Sequence, residues 1–250
     1  MIIITDKEFK QLADYIKMNY GINLKKEKQT LVMGRLANVL SVKGFKSFSD
    51  YYDYVVADRT GEAVITLVDR ITTNHTFFMR EPEHFYFFKD QVLPYLSGTV
   101  KDKDLRIWCA ACSSGEESYT LAMILDEYFG NEKGAWDTKV LATDISDKVL
   151  TIARNGIYSK ERIAPLPANW RLGYFSKLDN ENLVVSEKIK NEVIYRKLNL
   201  MEERFPFKRR FHTIFIRNVM IYFDNETKEK LVNKLYDQME PGGYLFIGHS

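Results

Sequence analysis

The residues with the clearest chemical potential lie in one segment, Arg106-Ile-Trp-Cys-Ala-Ala-Cys-Ser-Ser-Gly-Glu-Glu-Ser118. Its first half holds Cys109 and Cys112 in the Cys-x-x-Cys spacing of a thiol redox pair. Its second half is a turn of small residues followed by Glu116 and Glu117, which is typical of a turn that supports a nucleotide. The segment therefore predicts either a thiol catalyst or the floor of a cofactor pocket.

Redox chemistry is the less favoured of these two predictions. A redox cysteine needs a helix start, where the helix dipole lowers the thiol pKa. Here Cys109 lies inside an apolar run and the predicted helix begins later, near Gly115. The two acids downstream would raise a thiol pKa. The sequence also predicts no metal site, because it has no second cysteine pair and no closely spaced histidine pair. The histidines are scattered at His75, His84, His212 and His249.

The turn favours a cofactor that is cationic or neutral where it meets the chain. Small residues let a ligand approach the backbone, and Gly115 permits a tight bend. Dinucleotide sites place a pyrophosphate on a glycine-rich helix start, whereas Glu116 and Glu117 would repel a phosphate. S-adenosylmethionine has an ammonium, a sulfonium and no phosphate, so it fits. Asp144, at the end of the next predicted strand, would accept the ribose hydroxyls or would only cap the following helix.

Two patterns of secondary structure position these residues. Residues 1–70 predict helices only: Thr5 and Glu8 have capping-box spacing, and Gly21 and Gly44 are placed to end the first two helices. From residue 71 onwards, strand-length apolar runs alternate with amphipathic helices, which predicts a parallel, doubly wound sheet with its ligand crevice at the carboxyl ends of the strands. The predicted strands are 105–111, 139–142, 213–217 and 244–248.

A short interruption predicts a β insert at about 172–197. Strand-like runs at 172–175, 183–186 and 193–197 are separated by polar turns, and the last run could continue into the main sheet. The predicted architecture is thus an α/β domain of residues 71–250 with a small antiparallel insert, preceded by an all-helical domain of residues 1–70.

Composition limits the function classes. Of the residues, 45% are hydrophobic and 28% charged, as in an ordinary soluble protein. No run approaches the roughly 20 apolar residues that span a bilayer, and the start of the chain lacks a signal-peptide core. Two cysteines in one tetrapeptide cannot form a disulfide framework, so a cytoplasmic location is expected. The net charge of +2 disfavours a dedicated nucleic-acid binder.

Positive charge is concentrated in the helical part. Residues 21–46 carry six basic residues and one acid, Glu27, which gives a charge of +5. This segment is either a solvated helix face or a docking surface for an acidic partner. The basic residues are Lys25, Lys26, Lys28, Arg35, Lys43 and Lys46.

Six segments occur along the chain in a recognisable order: ITTNHTFFMRE (71–81), AACSSGEE (110–117), ATDI (142–145), NGIY (155–158), FIRNVMIYF (215–223) and PGGYLFIGHS (241–250). Together they resemble the motifs of the CheR-type chemotaxis receptor methyltransferases, and so do Tyr20-Gly-Ile-Asn-Leu24 and Gly34-Arg-Leu36 in the helical part. The resemblance covers nearly the whole chain.

This resemblance implies a Rossmann-like, class I methyltransferase that needs no metal. It would transfer a methyl group from S-adenosylmethionine to glutamate side chains on the cytoplasmic helical bundle of chemoreceptors, leaving S-adenosylhomocysteine. Glu116 would take the methionine ammonium, Asp144 the ribose, and Asn199 with Leu200 would lie near the adenine. The full set of implied cofactor contacts is Asn74, Thr76, Arg80, Ala110, Glu116, Asp144, Asn199, Leu200, Arg217 and Asn218.

The chemistry agrees with this assignment. A glutamate carboxylate is ionised at pH 7, so attack on a sulfonium methyl needs no general base. The enzyme must supply in-line positioning and a desolvated site. Arg80 would orient the carboxylate and Tyr222 would donate a hydrogen bond to it. The alternatives are a surface salt bridge of Arg80 with Glu81 or Glu83, and simple core packing of Tyr222.

The resemblance also gives the basic segment a partner. Receptor methylation helices are often rich in glutamate, so Lys25, Lys26, Lys28 and Arg35 would attract them. Family members that grip a receptor tether peptide use a glycine-rich loop in the insert, but residues 176–183 contain no glycine, which argues against tether binding.

Three expectations remain about the whole molecule. It should be a monomer without membrane insertion. Relatives usually continue past residue 250, so either this chain is truncated or its sheet has fewer strands. The alternative functions are a catalytically silent cofactor-binding signalling module, and a methyltransferase acting on RNA or a small molecule.

Overall fold

The chain folds into two compact units in the computed structural model, which describes residues 2–72 and 75–249. One unit combines Met1–Asn74 with Ile221–Lys230, and we call it the helical unit. The other combines His75–Met220 with Leu231–Ser250, and we call it the sheet unit. Within the described residues no helix is both long enough and apolar enough to cross a bilayer.

The helical unit contains four helices near the start of the chain. A short 3₁₀ turn at Lys26–Lys28 precedes the second of them. The four helices are α1 (Asp6–Tyr20), α2 (Gln29–Lys43), α3 (Phe48–Ala57) and α4 (Glu62–Ile71).

The predicted start and stop signals of these helices are confirmed. The Thr5 side chain accepts from the backbone N–H of Glu8, and the Glu8 carboxylate accepts from the N–H of Thr5, so the capping box forms. Gly21 and Gly44 end α1 and α2 in the left-handed conformation, at φ 70° and 75°. Leu12 is among the fully buried apolar side chains of this unit, and each such burial stabilises the fold by about 1.5–3 kcal/mol.

A distant segment of the chain, residues 221–230, belongs to the helical unit by its contacts. Ile22 and Phe223 form an isolated antiparallel bridge, and the backbone N–H of Asn23 donates to the carbonyl of Tyr222 over 2.7 Å. Lys17 forms an ion pair with Asp224 at 2.6 Å. The sequence pattern assigned this segment to residues 71–250, because non-local contacts leave no mark in local periodicity.

The sheet unit contains the remaining elements. Its first helical stretch is continuous: α5 (Pro82–Phe87), a π-helical turn (Phe88–Val92) and α6 (Leu93–Thr99). The later helices are α7 (Glu116–Phe129), α8 (Asp147–Asn155), α9 (Lys160–Ile163), α10 (Ala168–Gly173), α11 (Glu187–Lys190) and α12 (Asn225–Asp237), which starts in residues of the helical unit. The strands are β1 (Ile107–Cys109), β2 (Val140–Asp144), β3 (Ile157–Ser159), β4 (Phe175–Lys177), β5 (Asn182–Val185), β6 (Val193–Lys197), β7 (Phe211–Phe215) and β8 (Met239–Phe246).

The main sheet is parallel throughout, which confirms the prediction. Its strand order is β6-β2-β1-β7-β8. The chain runs outwards from β1 in one direction through β2 and β6, then returns to the other side of β1 with β7 and β8. The order therefore reverses at β1, and such a switch point opens a ligand crevice at the carboxyl ends of the strands. Trp108 of β1 is fully buried, as expected for a central parallel strand.

The second sheet has three antiparallel strands in the order β3-β5-β4; β4 and β5 lie in the predicted insert at about 172–197, and β3 precedes it. The run at 193–197 joins the main sheet beside β2, as the sequence allowed. The strand predicted at 172–175 is wrong at its start: Leu172 lies in α10, is 86% exposed, and strand β4 begins at Phe175. Trp170, in the same helix, is buried, whereas Leu172 faces solvent. Strand β3 was not predicted, since three residues are too few for a periodic signal.

Candidate cofactor and active site

The turn between β1 and α7 is shaped by two residues with positive φ. Ser113 has φ 47° and Gly115 has φ 98°. A Cβ added at Gly115 would lie 2.9 Å from the hydroxyl oxygens of Tyr158 and Tyr195 and from the Cβ of Ala153. Glycine is therefore required here both by conformation and by space. The turn is fixed to the sheet, because the N–H of Ala110 donates to the carbonyl of Phe215 over 2.7 Å.

The two cysteines are buried parts of this turn and are free thiols. Burial, with the nearby Glu117 carboxylate as a lesser cause, raises the pKa of the Cys109 thiol well above its ordinary value. Burial, helped by the Asp144 carboxylate, does the same to the pKa of Cys112. A thiol redox site needs the opposite shift and an accessible thiol, so the burial of both cysteines disfavours the redox interpretation.

Glu116, the first residue of α7, is completely enclosed. Its side chain has no exposed surface, and its Oε2 accepts from the Ser114 hydroxyl over 2.8 Å. Its Oε1 is ion-paired with the Nη2 of Arg162, which comes from α9. The Arg162 side chain is 38% exposed. The carboxylate of this pair is therefore buried, and its cationic partner, Arg162, is partly exposed to solvent.

Glu117, the next residue, belongs to a different network centred on Arg217. The Arg217 side chain is 1% exposed, and its Nη1 lies 2.7 Å from Oε2 of Glu117. Its Nη2 lies 3.1 Å from Oε2 of Glu81, and its Nε donates to Nδ1 of His84 over 3.0 Å. The guanidinium also lies over the ring of Phe85, 5.0 Å from the centroid. Arg217 is thus a buried hub that joins the end of β7 to α5 and α7.

The segment that carries Arg80 is held by the same hub. The backbone carbonyl of Arg80 accepts from Nη2 of Arg217, and Asn218 Nδ2 donates to Oε1 of Glu81 over 2.8 Å. Because Glu81 is occupied in this way, the predicted alternative of an Arg80–Glu81 salt bridge is not observed. The Arg80 guanidinium donates to the carbonyl of His75 in its own loop.

Backbone strain is concentrated around this site. Among the described residues, five non-glycine residues have positive φ, and all but Lys103 lie in the motifs named above. The four are Met79, Glu81, Ser113 and Asn218. Each such conformation costs on the order of 1 kcal/mol and persists where the surroundings enforce it. Arg80 lies between two of these residues, so its direction is set by the folded protein rather than by local preference.

The second acidic position lies at the end of β2. Asp144 accepts the backbone N–H of Ser113 over 2.9 Å on one oxygen and that of Ser146 over 3.0 Å on the other. The carboxylate is thereby oriented by the turn that it faces. Asn199 and Leu200 follow β6, the strand beside β2, and the N–H of Leu198 donates to the carbonyl of Asp144 over 3.0 Å.

The sheet unit thus brings most of the predicted cofactor residues to the carboxyl ends of its strands. Thr76 lies half-buried in the loop before Arg80, while Asn74 is outside the described residues. Tyr222 is half-buried in the segment that groups with the helical unit. Sequence reasoning missed Arg162, Glu81 and His84. Only Glu81 carried a signal, as the residue next to Arg80.

Of the predicted docking residues in the helical unit, three are exposed and one is half-buried. Lys25, Lys26 and Lys28 lie on the surface around the 3₁₀ turn, and Lys26 pairs with Asp6 at 2.7 Å. Arg35 is half-buried and donates from Nη1 to the carbonyl of Ile71 over 2.8 Å. Its guanidinium therefore satisfies the carboxyl end of α4.

One group of possible metal ligands exists in the described part of the chain. Glu81, His84 and His249 bring ligand atoms within 4.8 Å of one another. The Arg217 guanidinium already donates to His84 and pairs with Glu81, and its positive charge disfavours a cation there.

The polar groups at the strand ends suit a nucleoside cofactor with a cationic tail. Three carboxylates, Glu116, Glu117 and Asp144, surround the turn, and it lacks the glycine-rich helix start that a pyrophosphate needs. An ammonium and the ribose hydroxyls are hydrogen-bond donors, and they match these carboxylate acceptors. The fold and site define a parallel α/β enzyme domain that binds a phosphate-free nucleoside cofactor.

Comparisons with known proteins agree with that class. The family description "CheR methyltransferase, SAM binding domain" matches residues 74–250, and "CheR methyltransferase, all-alpha domain" matches residues 7–72. A chemotaxis protein methyltransferase of Borreliella burgdorferi is 44% identical over 100% of this chain and 89% of its own length. A probable one of Rhizobium etli is 36% identical over 92% of this chain and 87% of its own. One of Escherichia coli is 33% identical, covering 100% and 85%.

The chain belongs to the CheR methyltransferase family. It is an S-adenosylmethionine-dependent methyltransferase, with an all-helical N-terminal part and a Rossmann-like cofactor-binding part that carries a small antiparallel insert.

Proposed function

We propose that this enzyme methylates glutamate side chains on the cytoplasmic helical bundle of chemoreceptors, giving glutamate methyl esters and S-adenosylhomocysteine, and that it acts as a monomer in the cytoplasm. The observation that carries the proposal is the full-length similarity to chemotaxis methyltransferases, which spans both family domains. The site supports it, because the backbone of Arg80 is held by Arg217, which also pairs with Glu117 of the cofactor turn.

The reaction needs little from the protein beyond placement. The bound cofactor supplies an electrophilic methyl group on a sulfonium. The substrate carboxylate is ionised at pH 7, so no base has to remove a proton. Arg80 is the group that orients this carboxylate, since its only side-chain partner in the described residues is a carbonyl of its own loop. Tyr222 contributes a hydrogen bond to the same carboxylate.

Cofactor binding is divided between the two ends of the turn. Asp144 holds the ribose, and Asn199 with Leu200 lies against the adenine. Glu116 receives the methionine ammonium, for which Arg162 has to release one carboxylate oxygen, because Glu116 has no exposed surface in this structure. Asn74, Thr76, Ala110, Arg217 and Asn218 complete the contacts that the family resemblance implies.

The basic surface formed by Lys25, Lys26 and Lys28 docks the glutamate-rich receptor helices. All three side chains are exposed, so their field extends into solvent and accelerates encounter with an acidic partner. Arg35, the fourth predicted docking residue, donates to the carbonyl of Ile71 at the end of α4.

Two measurements test the proposal. Calorimetry with S-adenosylhomocysteine should show binding, and incubation of the enzyme with radiolabelled S-adenosylmethionine and receptor-bearing membranes should give a base-labile label on a membrane protein. Arg80→Met should lose nearly all transfer, and because Arg80 is also an implied cofactor contact, it should weaken cofactor binding as well, but by a smaller factor than it lowers transfer. Cofactor binding without any base-labile label would refute receptor methylation and favour a silent signalling module.

The docking surface has its own test and matched control. Reversing Lys25, Lys26 and Lys28 together to Glu should slow receptor methylation, with the largest effect at low ionic strength. The same reversal at Lys101, Lys139 and Lys208, which are exposed in the sheet unit, changes the net charge equally and should have little effect. Equal slowing by both triple variants would show that total charge matters and that the surface does not.

A further inference from the structure

The Glu116–Arg162 pair offers two opposite charges side by side at the cofactor turn. Nη2 of Arg162 is ion-paired with Glu116 and donates to the Ser114 hydroxyl over 2.9 Å. The Tyr158 hydroxyl donates to the Ser114 carbonyl over 2.6 Å, and the Arg162 guanidinium lies over the Tyr158 ring, 5.3 Å from its centroid. These four residues form one polar cluster directly on the glycine turn that supports the cofactor.

Exposure shows which member of the cluster a ligand meets first. Glu116 is fully enclosed and Ser114 is 6% exposed, whereas the Arg162 side chain is 38% exposed. Within the described residues, the Nη1 and Nε of Arg162 have no hydrogen-bond acceptor, so the outward edge of the guanidinium is available. An approaching ligand therefore contacts a cation before it can reach the carboxylate beneath.

The methionine end of the cofactor is itself a zwitterion. Its ammonium requires an acceptor and its carboxylate requires a donor, ideally a guanidinium that can form two parallel hydrogen bonds. A lone buried carboxylate would have to be stripped of solvent before it could bind the ammonium, which is costly. An acid that is already paired with arginine only exchanges partners.

We infer that Arg162 is a specificity-determining residue that binds the carboxylate of the methionine moiety while Glu116 binds its ammonium. In this structure the Arg162 guanidinium occupies the position on Glu116 that the ammonium would take. On binding, the Arg162 guanidinium releases its hydrogen bond to Glu116 and turns outwards. Two ion pairs with the ligand then replace the single Glu116–Arg162 pair. This inference deepens the proposed cofactor site and rests on it.

The test compares ligands that differ only at this end. Isothermal calorimetry would measure binding of S-adenosylhomocysteine, of its decarboxylated analogue, which keeps the amine, and of 5′-methylthioadenosine, which lacks the amino-acid end. The wild-type enzyme should prefer S-adenosylhomocysteine over the decarboxylated analogue by about 10- to 100-fold, as expected for a charge-assisted hydrogen-bonded contact. Arg162→Gln should reduce this preference to within about threefold, because its amide still bonds Glu116 and Ser114 but carries no charge.

The controls separate recognition from structural support. Arg162→Lys should restore part of the preference, and the affinity for 5′-methylthioadenosine should be unchanged in every variant. A preference that survives in Arg162→Gln overturns the inference. So does equal weakening of S-adenosylhomocysteine and its decarboxylated analogue, since Arg162 would then only hold Glu116. A wild-type protein that binds none of the three ligands would instead refute the proposed cofactor site.

Discussion

Two adjacent glutamates at the start of α7 form opposite kinds of ion pair. Glu116 is buried completely and its partner Arg162 is 38% exposed. Glu117 is 14% exposed and its partner Arg217 is only 1% exposed. Successive residues of a helix point about 100° apart, so one step along the chain directs the first carboxylate towards α9 and the second towards the end of β7.

This difference in exposure between the two arginines indicates that Glu116 and Glu117 have different roles, one in ligand binding and one in structural support. Arg162 is 38% exposed and can be solvated when it leaves, so the Glu116 pair is suited to exchange with a ligand cation that takes the place of the guanidinium. A cation enclosed by two carboxylates and a histidine cannot leave without stranding them. The Glu117 pair is therefore scaffolding, and it holds the strained Arg80 segment in place through the Arg80 carbonyl.

The largest effect is expected when the buried hub is removed. Arg217→Met leaves Glu81 and Glu117 in poorly solvated positions without their cation, which should lower the free energy of unfolding by about 3–5 kcal/mol. Urea denaturation followed by circular dichroism would measure this. The matched control is Arg209→Met, since Arg209 is 59% exposed and pairs with Asp102 and Asp104 at the surface. It should cost about 0–1 kcal/mol, and equal losses in the two variants would contradict the buried-hub assignment.

The next effect concerns the contrast between the two acids. Glu116→Gln should weaken S-adenosylhomocysteine binding by about 10- to 100-fold, the value of one charged hydrogen bond. The free energy of unfolding should change little, because water can solvate the partly exposed Arg162. Glu117→Gln should do the reverse, and lower stability more than affinity. Calorimetry measures the affinity of each variant for S-adenosylhomocysteine, and urea denaturation measures its free energy of unfolding. Stronger loss of binding in Glu117→Gln than in Glu116→Gln would reverse the assignment.

A smaller effect should appear in the pH dependence of the free energy of unfolding, through His84, which contacts the Arg217 hub. Burial, followed by the nearby Arg217 charge, lowers the pKa of His84 below its ordinary value. The unfolded chain therefore takes up a proton before the native one does, so this contribution to stability is complete above pH of about 6.5 and is lost as pH falls below it. His84→Gln keeps an acceptor for Arg217 Nε but does not titrate. Its unfolding free energy should fall less than that of the wild type between pH 7 and pH 5; identical slopes would exclude His84 as the cause.

Local signals predicted much of the fold. The capping box sets the start of α1, the two glycines set the ends of α1 and α2, and α7 begins directly after Gly115, as predicted. The last strand was predicted at 244–248 but runs over Met239–Phe246, because a register shift opposite Phe211 and Thr213 lets the Pro-Gly-Gly turn remain within the strand. Turn residues conceal such a bulge from periodicity.

The site was predictable only where its residues are local in sequence. Glu116 and Asp144 follow strands and could be placed at the carboxyl ends of the sheet. Arg162 could not, since it lies 46 residues after Glu116 and reaches it only through the packing of α9 on the turn. The same holds for Arg217 and Glu81, whose pairing depends on the strand order of the sheet.

The smallest effect is expected at the residues that looked most reactive. Cys109 and Cys112 are buried thiols with raised pKa, and Cys109 donates to Oε1 of Glu117 over 3.1 Å. A serine hydroxyl can make the same bond, so the double variant Cys109→Ser with Cys112→Ser should keep methyl transfer within a few-fold, at a cost in stability of about 1–2 kcal/mol. Native alkylation by iodoacetamide at pH 8 should be slow compared with the urea-unfolded protein. Loss of methyl transfer in a folded double variant would mean that sulfur has a chemical role here. Retained transfer would leave Glu116, as the cofactor ligand, and Glu117, as the structural partner of Arg217, as the functional residues of this motif.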